Sequence, residues 1–154
     1  MSEHKTPPTY QLDHICLAVR ALGTARELLQ RMLGYEPLTS PVENTRQKVT
    51  VQFMRKAGSI DIKLIEPSSP DSPLVDFVHS RGGGLHHLAF RTEFVEVAVE
   101  DVKGKGAKVL APPAPGEAFD DALIAFCFLG AGLNVEFIET DRRRGEIGEP
   151  RVGE

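Results

Sequence analysis

Apolar and polar positions along the chain change period several times. Short apolar blocks run from Leu12 to Val19 and from Leu85 to Thr92, the pattern of strands. After the first block, Thr24 and Glu27 form an S/T-x-x-E capping box. Ala25, Leu28, Leu29 and Met32 then recur at helical spacing, and Gly34 is a natural stop. After the second block, Val95, Ala98, Val99 and Val102 repeat that stripe, with Gly104 at its end. Further strands are predicted near Leu38, from Val49 to Arg55 and from Ile60 to Glu66. Their second-half counterparts are predicted over Lys108 to Leu110, Leu123 to Phe128 and Leu133 to Glu139. The element order is β-α-β-β-β, twice.

The two halves share one register. The run from Leu12 lies over the run from Leu85, an offset of 85 − 12 = 73. The same offset carries Val51–Arg55 onto Ile124–Phe128 and Ile60–Glu66 onto Leu133–Glu139, with Leu12, His14, Phe53, Ile65 and Glu66 identical to their partners. Three segments in one register indicate a duplicated supersecondary unit. Between the copies, Ser68, Ser69 and Pro70 break the chain. Ser72 and Pro73 then open a short helix that buries Leu74, Phe77 and Val78 and ends at Gly82–Gly84. These glycines follow a helix and precede a strand, the wrong order for a phosphate loop. The expected organisation is one domain over 10–140: module one 10–67, linker helix 68–84, module two 85–140. Residues 1–9 and 141–154 are expected as flexible tails, with Arg142–Arg144 a solvated end.

Strand alternation sorts the chemistry onto faces. Ile15, Leu17, Val19, Ile62, Leu64, Leu88, Phe90, Val135 and Phe137 form the apolar face expected under the helices. His14, Lys63, His87 and Glu136 fall on the opposite face, and both intervals, 63 − 14 and 136 − 87, equal 49. A pseudo-twofold arrangement would bring all four together. Two imidazoles and a carboxylate are ligands for a borderline-soft ion such as Zn, Co, Ni, Mn or Fe. His86, adjacent to His87, is expected to face the other way, beneath the helix layer.

Composition narrows the classes. The chain has 154 residues, 41% hydrophobic and 26% charged, which suits one folded domain. Net charge −4 and pI about 5.8 argue against a nucleic-acid binder. No run reaches the roughly 18–20 apolar residues of a membrane helix, so no membrane partner is expected. The N-terminus has no apolar signal region, and Cys16 and Cys127 have no CxxC spacing. A cytoplasmic protein with reduced thiols is the expectation.

The duplicated unit, with His in the first strand of each half and an acid in the last, resembles the vicinal oxygen chelate (glyoxalase/bleomycin resistance) superfamily. The segment IDIKLIEPSSPDSPLVDFVHSRGGGLHHLAF, Ile60 to Phe90, resembles methylmalonyl-CoA epimerases in particular. LDHICLAV at Leu12 and GLNVEFIE at Gly132 resemble both those enzymes and glyoxalase I. The resemblance covers about residues 10 to 140. It implies an α+β fold, two βαβββ modules forming a cupped eight-stranded mixed sheet around a divalent metal. It further implies His14, His87 and Glu136 as metal ligands, Glu136 as a proton-transfer group, a small-molecule substrate such as an acyl-CoA, and a homodimer; Lys63, at the fourth position, is the other candidate catalytic group, read from its place in the constellation. The chemistry implied is proton transfer α to a carbonyl with a metal-stabilised enolate.

Two positions depart from that pattern. Lys63 stands where the epimerases and glyoxalases place Gln or Glu, and an ammonium cannot ligate. A unit charge roughly 4 Å from a divalent ion, at an effective dielectric of about 20, is repelled by about 8 kcal/mol. Three outcomes follow: Lys63 swings away, with Asp61 a substitute ligand; it ligates as a neutral amine; or no metal binds and Lys63 pairs with Glu136. The strand from Val49 to Met54, where a second base is expected, holds no Asp or Glu, and Gln52 cannot serve. An epimerase- or glyoxalase-like enzyme therefore stands beside two alternatives. One is a non-haem iron dioxygenase, with Tyr10 and Tyr35 as its available phenols. The other is a metal-free small-molecule binding module.

Overall fold

The computed structural model describes residues 6–148. The elements run β1 (Gln11–Ala18), α1 (Leu22–Leu33), β2 (Glu36–Pro37), β3 (Val42–Asn44), β4 (Val49–Arg55), β5 (Asp61–Pro67) and α2 (Leu74–Arg81). They continue β6 (Gly84–Arg91), α3 (Val95–Gly104), β7 (Lys108–Pro115), a 3-10 turn (Glu117–Phe119), β8 (Leu123–Gly130) and β9 (Leu133–Ile138). All strands join one open mixed sheet, in the order β2-β4-β5-β1-β6-β9-β8-β7. Read outward from the β1–β6 seam, both halves carry the same sequence of strands, as the duplication requires. The described residues hold nine strands rather than the expected eight, because β3 adds to β4.

The predicted apolar face is the helix face. Ile15, Leu17, Ile62, Leu64 and Met54 pack with Leu22, Ala25 and Leu29 of α1. Phe90, Ala125, Cys127, Val135 and Phe137 pack with Val95, Ala98, Val99 and Val102 of α3. On the other face, Cys16, Ala18, Val49, Val51, Phe53 and Ile65 meet Leu74 and Val78 of α2, with Ala118 and Phe119 of the 3-10 turn. Hydrophobic burial on both faces thus holds the sheet as the middle layer.

The helix starts differ from expectation. α1 begins at Leu22, so Thr24 lies inside its first turn, and its N-cap Ala21 makes no side-chain bond. The free N–H of Leu22 instead donates to Glu66 Oε1 at 3.2 Å, and that of Val95 in α3 donates to Glu139 Oε1 at 2.8 Å. Glu66 and Glu139 are repeat partners at the ends of their strands. Each supplies a carboxylate to a helix N-terminus, where the dipole favours it. The linker helix begins at Leu74, one residue later than expected, with Pro73 at its N-cap; Ser72 Oγ accepts from Leu74 N–H, and Gly82 closes the helix at φ 74°. Gly83, at φ 101°, has no room for a side chain, since a Cβ would lie 2.7 Å from the Ala18 carbonyl oxygen.

The expected tail does not begin at 141. Arg144 N–H donates to Ala118 O, Ser40 N–H to Gly145 O and Ile147 N–H to Leu38 O, at 2.8–2.9 Å. These bonds tie 144–147 to module one and to the 3-10 turn. The tail expectations for 1–5 and 149–154 fall outside the described residues. Among the described residues, no helix is long and apolar enough to cross a membrane.

Candidate active site

The four repeat-related side chains converge. His14 comes from β1, Lys63 from β5, His87 from β6 and Glu136 from β9, and all are buried. Glu136 Oε1 is the hub: His87 Nε2 lies 3.3 Å away, His14 Nε2 3.4 Å and Lys63 Nζ 3.6 Å. Burial opposes ionisation of Glu136. The Lys63 ammonium, the nearby His14 imidazole and the bond from His87 outweigh it and hold the carboxyl well below its usual range. Burial drives the His87 imidazole down to about 4, the opposing pull of Glu136 included, so it is neutral at physiological pH.

Two bulges extend the constellation beyond simple alternation. In the β1–β6 ladder, Leu12 faces Phe90 and His14 faces Ala89, leaving Asp13 as an extra residue. Further along, Cys16 faces His87 and Leu17 faces Leu85, leaving His86 extra. A bulged residue need not alternate with its neighbour. Asp13 and His86, which are repeat partners, therefore reach the same side as His14 and His87. Asp13 Oδ2 contacts His14 Nδ1 at 2.7 Å, and His86 Nδ1 contacts His87 Nδ1 at 2.8 Å. The expectation that His86 lies beneath the helix layer is corrected accordingly. It packs edge-on to Phe77 of α2 and lines the same cavity as His87 and Lys63.

Arg143 is the other unforeseen member. Instead of a solvated end, it is 4% exposed. Its guanidinium lies 4.5 Å from the centre of the Phe53 ring, bonds Asp13, and reaches Asp61 Oδ2 at 3.5 Å. Burial raises the Asp13 carboxyl, but His14 and Arg143 together bring it below its ordinary value. Asp61 is thus turned to Arg143, not to the hub. Gln52 lies elsewhere, donating to the Thr39 carbonyl and accepting from Arg26.

Above the constellation opens a cavity of about 430 Å³. Most of its wall is apolar: Val49, Ile65, Pro73, Leu74, Leu110 and Phe126 among others. Among the described residues its charged lining is Arg46 and Lys63, with no carboxylate. A cationic, mostly apolar pocket in a chain of net charge −4 suits a ligand with an apolar body and an anionic or carbonyl head.

The donor set can be tested against a divalent ion. His14, His87 and Glu136 bring three ligand atoms within 4.8 Å of one another. The buried atoms His14 Nε2 and Glu136 Oε2 lack hydrogen-bond partners. Asp13 against His14 Nδ1 is the outer-shell partner that leaves Nε2 free to ligate. Three corners therefore fit a metal. The fourth does not, because Lys63 Nζ stays 3.6 Å from the shared oxygen instead of swinging out.

With sheet, helices and site in place, the comparisons with known proteins agree. Residues 13–128 match the model of the Glyoxalase/Bleomycin resistance protein/Dioxygenase superfamily, and the chain belongs to that superfamily. Its relatives include the mitochondrial methylmalonyl-CoA epimerase of Bos taurus, 32% identical over 68% of this chain and 59% of that protein. The uncharacterized protein YqjC of Bacillus subtilis is 42% identical over 52% of this chain and 56% of its own length. The chain thus spans a little over half the length of these two relatives. The methylmalonyl-CoA epimerase of Mycobacterium tuberculosis superposes with a TM-score of 0.75 at 26% identity, covering 84% of this chain and 87% of that one. A variant of the Streptomyces coelicolor epimerase, solved with 2-nitronate-propionyl-CoA, gives 0.75 at 26% identity, covering 84% and 96%.

Proposed function

We propose that the protein is an epimerase-like enzyme that moves a proton on the carbon α to the thioester carbonyl of a carboxylated acyl-CoA. The observation that carries this reading is the buried carboxylate of Glu136 lying directly behind His87 and Lys63, which line a cavity whose wall is apolar and cationic. The epimerase relatives and the acyl-CoA analogue in the Streptomyces complex support the substrate class.

The residues divide the work as follows. Lys63 Nζ stands farther from Glu136 than a hydrogen bond requires, so its N–H groups can turn to a substrate oxygen. Negative charge develops on that oxygen as the α-proton leaves, and a preorganised cation there favours the transition state. Glu136, ionised and shielded from water, is one proton-transfer group. Its lowered basicity makes the reaction depend on Lys63 stabilising the enolate. His86, on the cavity wall in place of the acid that β4 lacks, is the second: it takes a proton from solvent and, as imidazolium, gives it to the opposite face of the enolate. Arg46, at the exposed rim, meets the substrate's free carboxylate. Glu136 then gives its proton to solvent and His86 takes one back, so the cycle closes with no change of oxidation state and no redox partner.

Incubation with methylmalonyl-CoA in deuterium oxide, read by mass spectrometry, tests the activity. Deuterium at the α-carbon is the expected result. Tight acyl-CoA binding without exchange would instead favour the binding-module reading, which the departure at Lys63 supports. The dioxygenase reading loses its proposed helpers. Tyr10 bonds Asp101, and Tyr35 packs with the α1 cluster on the helix face.

A further inference from the structure

We infer that Lys63 is the resident cation of this site and that the wild-type chain excludes a divalent ion from it. Positions 63 and 136 are repeat partners, yet one copy carries an amine and the other a carboxylate, and the two meet at the centre. The ammonium is walled in. The Lys63 side chain is 3% exposed, and Nζ lies 5.1 Å from the centre of the Phe119 ring and 6.0 Å from that of Phe53. Aromatic faces attract a cation, so the wall holds the charge in place. The buried charges are already matched: Lys63 against Glu136, and Arg143 against Asp13.

An ion ligated by Glu136 Oε1 would sit about 2 Å from an oxygen that is itself 3.6 Å from Nζ. Two cations would then share one carboxylate in a medium that screens them poorly. Metal and ammonium are therefore mutually exclusive occupants. Held here, the ammonium can donate to a carbonyl or carboxylate oxygen, which fits a ligand of either kind without a cofactor.

The test is metal uptake, measured on the full chain after dialysis against cobalt(II) and quantified by plasma mass spectrometry and visible absorption. The wild type is expected to remain substoichiometric, with a thermal midpoint unmoved by cobalt or by EDTA. Lys63→Gln and Lys63→Glu are each expected to take up one cobalt per chain and bind it at least ~10-fold more tightly, the scale of ligand-environment effects on metal affinity. A wild type that binds stoichiometric cobalt as tightly as Lys63→Gln would overturn the inference. So would failure of both variants, shown folded by circular dichroism, to gain metal. Isotope exchange reads the activity and cobalt uptake reads Lys63, so either idea can fail without the other.

Discussion

The two copies of the module have kept one scaffold and diverged in chemistry. Strand order, helix placement, the bulge in the first strand and the glutamate that caps the helix are all shared. The side chains facing the site are shared only in part. His14 matches His87, but Asp13 stands against His86 and Lys63 against Glu136. Each exchange replaces two like groups with two different ones, and in both cases the groups lie where the copies meet. A symmetric sheet can therefore hold an asymmetric reaction centre, with one side of a substrate facing an amine and the other an acid.

The sharpest way to break this comparison is to make the central pair alike. Glu136→Gln leaves the Lys63 charge buried without its partner. It should cost about 3–5 kcal/mol in urea unfolding and abolish α-proton exchange. Lys63→Met should cost a similar amount by stranding Glu136. The double replacement Lys63→Met with Glu136→Leu should recover most of that stability, since apolar groups can replace a buried ion pair. Losses in the singles that simply add in the double would show that the two charges are not coupled.

Acid separates the copies by pH. The folded-state pKa of His87, about 4, lies below the ordinary histidine value of about 6.5, so the unfolded chain takes up that proton first. Stability is therefore full above about pH 6.5 and falls as the pH drops towards 4, by about 3 kcal/mol from His87 alone. His86 is shifted the same way by burial and adds to this loss. Asp13 in module one has a lowered pKa, so its contribution is lost only as the pH falls below the ordinary carboxylate range of about 4. Urea midpoints across pH should show both limbs, and His87→Gln should flatten the upper one. A flat profile between pH 4 and 6.5 in the wild type would contradict the buried neutral pair.

Arg143→Met should destabilise by about 2–3 kcal/mol, less than the central charge. The reason is that Arg91 Nε lies 3.7 Å from Asp13 Oδ1 and offsets part of the loss. A thermal midpoint unchanged by this replacement would show that Asp13 does not depend on it. The smallest effect is expected at Cys16, whose thiol burial pushes up to about 12. Iodoacetamide should leave it unmodified in the folded protein and label it only after unfolding.

Much of this was legible in the sequence, and for a definite reason. Period-two alternation and a repeat offset are local signals. They placed His14, Lys63, His87 and Glu136 on one face and Ile15, Leu17, Val135 and Phe137 on the other. The same rule misplaced His86, because a bulge adds a residue and alternation has no way to register it. The repeat offset pairs Asp13 with His86, which was a usable hint. Thr24 looked like a cap because capping boxes are local, whereas the true partner of α1 is Glu66 on a strand 44 residues away. Arg143 left no local trace. Its partners lie 130 and 82 residues earlier in the chain, and a short basic run reads as solvated whenever its tertiary environment is unknown.

That last contact bears on how the protein is handled at the bench. The segment matched to the superfamily stops at residue 128, and every strand among the described residues is complete by Ile138. A fragment trimmed just after the last strand, or nibbled by carboxypeptidase, would look whole by secondary structure. It would nevertheless lack the guanidinium that faces Asp13, and with it the group that keeps the His14 side of the floor neutral. Affinity tags and domain fusions are therefore better joined before the first strand than close behind the last.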